Sequence, residues 1–174
     1  MCADYWRDKS ARESFEISGF LDAYARLNRG AALEVLEKRA KPDYVVGSRA
    51  GSQRFGVELT SVYLDDRSVP EEHMQAQGNV LTPIDFSEAR LQAYQDRLVA
   101  AIESKTRKAR AGYDPSRPLI LSIYVNEYIA IYLGRKELEA LVQRNRSTFD
   151  GMSPFAEIVF WNIGGNDVFS VRPE

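Results

Sequence analysis

Asp43 and Glu58 are the residues of this sequence best spaced to do chemistry together. Asp43 follows Pro42 and opens the β-rich run Tyr44-Val45-Val46. Glu58 lies at the centre of a second run, Gly56-Val57-Glu58-Leu59-Thr60-Ser61-Val62, and the turn-rich residues 47–53 separate the two. Carboxylates carried on adjacent antiparallel strands can meet at one point and offer oxygen ligands to a divalent cation. Strand alternation places Gly56, Glu58, Thr60 and Val62 on one face and Phe55, Val57, Leu59 and Ser61 on the other. Plainer readings exist for both acids. An aspartate after proline is common in turns, and a strand glutamate can simply face solvent, although glutamate is a poor strand former.

The elements that must hold this pair follow from periodicity. Ile17, Phe20, Leu21, Tyr24 and Leu27 recur at threes and fours, which predicts a helix over residues 10–27, closed by Asn28-Arg29-Gly30. Residues 31–39 favour a second, short helix, stopped by Pro42. Strands are expected over 44–46 and 55–63. Residues 64–86 read as a long surface loop, with a helical turn around 71–77. Ser87 is a good N-cap for a long helix running to about Arg110 and ended by Gly112. Leu119-Ile120-Leu121-Ser122-Ile123-Tyr124-Val125 is almost wholly apolar, as a strand buried on both faces should be. A β-like run at 128–133, a helix over 135–144, a strand over 155–161, a Gly164-Gly165-Asn166-Asp167 turn and a last strand over 168–171 complete the chain. The expected fold is α/β, a mixed central sheet flanked by helices, in one domain spanning 1–174.

The order of elements and the pair Pro42-Asp43 and Glu58-Leu59-Thr60 resemble the PD-(D/E)xK nuclease superfamily, the restriction-endonuclease-like fold with its αβββαβ core. The resemblance runs from the first helix to the apolar strand and implies a metal-dependent nuclease, with Asp43 and Glu58 as ligands of Mg²⁺ or Mn²⁺. Thr60 departs from it, standing where the family usually has lysine, and cannot supply a positive charge. Some members carry that lysine on the following helix. There the apolar stripe of Leu91, Tyr94, Leu98, Ile102 and Ala109 has Lys105 near its middle, Lys108 at its edge, and Arg107 and Arg110 elsewhere. Lys105 is therefore the expected catalytic cation, against the plainer reading of a lysine snorkelling near a helix end. Members of the family also bring a first-helix glutamate to the metal. Glu13 lies on the apolar stripe of that helix and Glu16 at its edge, and either is equally an ordinary helix glutamate.

Composition sets the outer limits. The 174 residues are 44% hydrophobic and 28% charged, with net charge −2, so nucleic acid must be met by a local basic surface. The run Lys105-Thr106-Arg107-Lys108-Ala109-Arg110 is the candidate, offering Lys105, Arg107, Lys108 and Arg110 to phosphates; it can equally be a solvated helix end. DNA rather than RNA is the expected partner, and a homodimer is left open. A single cysteine, Cys2, and the lack of an apolar leader point to the cytoplasm, and no run is long enough to span a membrane. One histidine, His73, excludes a multi-histidine zinc site, and an oxygen-only site favours Mg²⁺. No G-x-S-x-G elbow or P-loop lysine is present. The alternative function is a catalytically inactive binding module of the same fold.

Overall fold

A mixed six-stranded sheet, ordered β1-β2-β3-β4-β5-β6, carries helices on both faces in the computed structural model. The structure describes residues 9–29, 32–48, 54–63, 87–114, 116–125, 132–164 and 167–173. Cys2, His73, the 71–77 turn, most of the 128–133 run and part of the 164–167 turn lie outside them. The elements are α1 (Lys9–Leu27), β1 (Glu34–Lys38), β2 (Tyr44–Gly47), β3 (Arg54–Val62), α2 (Glu88–Gly112), β4 (Leu119–Val125), α3 (Arg135–Arg144), α4 (Arg146–Asp150), β5 (Phe155–Ile163) and β6 (Asp167–Val171). β1, β2 and β3 form an antiparallel meander; β4 lies parallel to β3 and β5 parallel to β4; β6 returns antiparallel. No described helix is long and apolar enough to cross a membrane.

Every residue of β4 is buried because both of its faces are covered. Ile120 and Tyr124 point to the layer where α1 packs with Phe20 and Tyr24. Leu119, Leu121, Ile123 and Val125 point to the layer of α2, where Tyr94, Leu98 and Ile102 are fully buried. Ser122 is the polar exception, and its hydroxyl accepts the Trp161 indole N–H at 3.0 Å. Ser87 caps α2 as its sequence suggests, accepting the Arg90 N–H.

The expected helix at 31–39 is instead the strand β1, which lies at the sheet edge with most of its residues exposed. Its good helix formers are overruled by the backbone hydrogen bonds that β2 offers, since a helix of nine residues cannot recover the cost of its own nucleation. Two glycines set close approaches. A Cβ at Gly56 would meet the Pro42 ring at 2.6 Å, so the proline before Asp43 lies directly on β3. A Cβ at Gly19 would come within 2.3 Å of the Trp161 ring, so α1 rests on β5 with no atom to spare.

Candidate active site

The hairpin of β2 and β3 comes apart where the acids are. Its register ends with Tyr44 opposite Val57. Beyond that point the edge groups of β3 turn to side chains. The Leu59 N–H donates to Asp43 Oδ2 at 2.8 Å, and the Leu59 carbonyl accepts from Lys105 Nζ at 2.8 Å. Unpaired strand groups are costly when buried, and here the satisfying partners are the residues that the spacing singled out.

Lys105 Nζ also lies 2.6 Å from Glu58 Oε1, with the glutamate 5% exposed and the lysine side chain 22% exposed. Thr106 rather than Lys105 faces the core at this turn of α2. Lys105 stands at the flank of the stripe and reaches the sheet with its full length, a snorkelling side chain whose head lands on a carboxylate. Glu58 Oε2 is buried with no hydrogen-bond partner. The Tyr113 phenol, just past the end of α2, sits beside the same carboxylate. Burial, then the hydrogen bond and charge of Glu58 and the charge of Asp43, all hold it in its neutral form.

Asp43 and Glu58 are close enough to repel. The Asp43 pKa is raised, first by burial and next by the Glu58 charge, while the Leu59 N–H and Lys105 pull it down. Glu16, on α1, is raised for a similar reason: burial first, offset by its hydrogen bond from the Ser61 hydroxyl and by Arg12, and reinforced by Asp43. Glu13 behaves otherwise. Burial acts to raise it, but Lys38 at 2.8 Å and Lys9 at 3.4 Å outweigh burial and its pKa falls. Both first-helix glutamates feel Asp43: the Asp43 charge helps to raise Glu16, the Glu13 charge helps to raise Asp43, and Glu13 differs in being paired with lysines.

Asp43, Glu13, Glu16 and Lys105, but not the buried Glu58, border an open cleft of about 320 Å³ between α1, the end of β3 and α2. Lys9, Arg12, Glu13 and Glu16 line it from α1, Asp43, Thr60 and Ser61 from the hairpin, and Lys105 from α2. Lys9 and Arg12 were not singled out by sequence, nor was Tyr113. The signal for the first two was available: positions 9, 12, 13 and 16 continue toward the N-terminus the spacing of the apolar stripe of α1.

The basic run of α2 does not act as one surface. Lys105 turns into the cleft, and Lys108 is exposed. Arg107 and Arg110 line a separate depression against α4, and Arg110 is tied down there by the carbonyls of Ser153, at 2.7 Å, and Gly151.

No three His, Cys, Asp or Glu side chains converge as a metal cluster among the described residues. A hydrated hard cation asks for less, since Mg²⁺ is commonly held by one or two carboxylates and retains several waters. Asp43, Glu58 with its unpartnered Oε2, and the Leu59 carbonyl form an oxygen-only donor set that fits such an ion. Lys105 Nζ now supplies the positive charge between two of those oxygens. No family model, curated protein or solved structure matches the chain.

Proposed function

We propose that this chain is a metal-dependent nuclease of the PD-(D/E)xK type, acting where Asp43, Glu58 and Lys105 come together. One observation carries the reading: where β2 and β3 part, an aspartate accepts the N–H of the residue next to a buried glutamate, and a lysine from the next helix reaches that same glutamate. The element order supports it, since a helix, an antiparallel three-strand meander, a helix and a strand parallel to the third follow one another as in an αβββαβ core.

Asp43, Glu58 and the Leu59 carbonyl would hold Mg²⁺ or Mn²⁺. When bound, the ion lowers the pKa of a water and polarises the phosphodiester. Hydrolysis joins a water oxygen to phosphorus and breaks one P–O ester bond, with negative charge growing on the phosphoryl oxygens. Lys105, released from Glu58, would lie beside that charge and favour the transition state over the ground state. Thr60, also at the cleft, offers a hydroxyl but no charge. Glu16, with its raised pKa, is suited to carry a proton at its carboxyl.

The rival is a binding module of the same fold without catalysis. It is favoured by the closed Lys105–Glu58 pair, which already neutralises the site. Single-turnover cleavage of mixed DNA and RNA substrates with Mg²⁺ or Mn²⁺ separates the two. Cleavage by the wild type that disappears in Glu58→Gln is the expected outcome. A wild type that cuts nothing across the set hands the case to the binding module.

A further inference from the structure

The cleft is bordered by an arginine that makes no hydrogen bond through Nε. Arg12 lies one turn before Glu16 on α1 and borders the cleft, yet its Nε is buried with no hydrogen-bond partner. Its charge reaches Glu16, but the two form no ion pair among the described residues, and Glu16 Oε1 is occupied by the Ser61 hydroxyl. Other cations of the cleft are committed. Lys105 is held by Glu58 and the Leu59 carbonyl, and Lys9 is drawn to Glu13. A desolvated guanidinium N–H that bonds to nothing is costly, and a shift of the side chain that brings the guanidinium onto a ligand oxygen would relieve that cost. The guanidinium fork suits tetrahedral oxyanions in particular, taking two oxygens at once.

We propose that Arg12 is a positioning residue that grips a phosphate of nucleic acid lying in the cleft, so that the backbone is held from α1 rather than by the basic run of α2. The proposal rests on the nuclease reading and names its phosphate grip. It follows that Arg107 and Arg110, which face α4, contribute little. Glu16 has the opposite role, weakening the grip by its nearby negative charge.

The test is binding of the full-length chain to 5′-labelled mixed-sequence oligonucleotides, single- and double-stranded, read by fluorescence anisotropy over a salt series in EDTA and again with Ca²⁺. The wild type should bind with an affinity that falls steeply with salt. Arg12→Gln should weaken binding about tenfold and reduce the slope of log K against log salt by about 1. Arg12→Lys should keep the slope, because the charge remains, but recover only part of the affinity, because the fork is lost. Glu16→Gln should tighten binding, and Arg107→Gln should leave it unchanged. A wild type that binds with normal salt dependence, alongside an Arg12→Gln variant of equal affinity and slope, overturns the role of Arg12 and leaves the nuclease reading standing. A wild type that binds no oligonucleotide overturns both. If Arg12→Gln fails to fold, the Arg12→Lys pair of readouts decides: an undiminished affinity overturns the proposal.

Discussion

Two strand glutamates are buried in this sheet, and their surroundings differ. Glu58 on β3 is 5% exposed and Glu157 on β5 is 4% exposed. Glu58 faces the α2 layer, and its near neighbours are a lysine, a phenol and a second carboxylate, Asp43. Glu157 faces the α1 layer, where the Tyr24 hydroxyl donates to Oε2 at 3.2 Å and Arg172 Nε stands 3.3 Å from Oε1. Phe55 and Ile120 close a largely apolar hollow of about 290 Å³ beside it. Both acids keep an oxygen without a well-formed hydrogen bond, for Arg172 approaches Oε1 of Glu157 without completing one. Burial of a charge therefore does not distinguish a site from a tether. The company of another acid does, because two carboxylates that repel each other are stabilised by a cation or a proton, whereas a carboxylate between a tyrosine and an arginine already has its partners.

Exchanging each glutamate for glutamine is the sharpest way to break this contrast. On the proposed nuclease reading, Glu58→Gln lowers the single-turnover cleavage rate at least about a hundredfold, equivalent to roughly 3 kcal/mol in the barrier. Glu157→Gln should leave that rate within about twofold of wild type. Equal losses from both would mean that the sheet as a whole, and not the Asp43 end, governs activity.

The cations come next. Lys105→Ala strands Glu58 in a buried position and should cost about 3 kcal/mol in urea unfolding. It should also slow cleavage by roughly a hundredfold at unchanged oligonucleotide affinity, as loss of a transition-state contact does. Arg172, whose side chain is 66% exposed, should cost less than about 1 kcal/mol on replacement by alanine. A stability loss at Arg172 as large as that at Lys105 would erase the distinction between the two ends.

Proton linkage gives a smaller signal of known sign. Folding raises the pKa of Asp43 and of Glu16, so between their ordinary and raised values the native state holds more protons than the unfolded chain. Their contribution to stability is thus present at low pH and is lost as pH rises through that window. Glu13, held down by Lys38 and Lys9, acts in the opposite sense at lower pH. The wild type and Asp43→Asn should therefore be compared directly. The variant's urea midpoint should gain on the wild type's as pH is raised from about 4 to 7. A variant midpoint that falls further behind the wild type's over that range would show that folding does not raise the Asp43 pKa.

Tyr24→Phe should have the least effect, about 1 kcal/mol, from loss of one hydrogen bond to Glu157. Burial and the neighbouring Glu157 raise the Tyr24 phenol to about 12. Its ultraviolet titration should accordingly trail that of an ordinary tyrosine, and a normal midpoint would place Glu157 further from it than the structure does.

The core of this site was legible in the sequence where local rules decide. Alternation along β3 put Glu58 and Thr60 on one face, whereas the period of α2 set Lys105 mid-stripe, where Thr106 faces the core and Lys105 lies at the flank. The strand β1 was not legible, because its residues prefer helix and only pairing with β2 makes them extended. Arg12 and Tyr113 were missed for a different reason. Neither has a local signature, and their proximity to Asp43 and Glu58 depends on where α1 and the end of α2 come to rest on the sheet. The basic run of α2 is contiguous in the chain, yet a turn of 100° per residue, already legible in its sequence, sends its members to different surfaces.

The contact of Gly19 with Trp161 has a bearing on how this protein tolerates change. A side chain as small as alanine would have to push α1 away from β5, since the nearest ring atoms are 2.3 and 2.4 Å from where its Cβ would stand. Glu16 and Arg12 ride on that same helix, about one and two turns upstream, and would move with it. In a saturation scan scored for function, position 19 should therefore show the narrow acceptance typical of residues that touch the ligand. Its neighbour Ser18, exposed on the outer side of the helix, should accept many replacements. Sorting such a scan by distance from the cleft would misplace Gly19; sorting it by the clearance each residue allows would not.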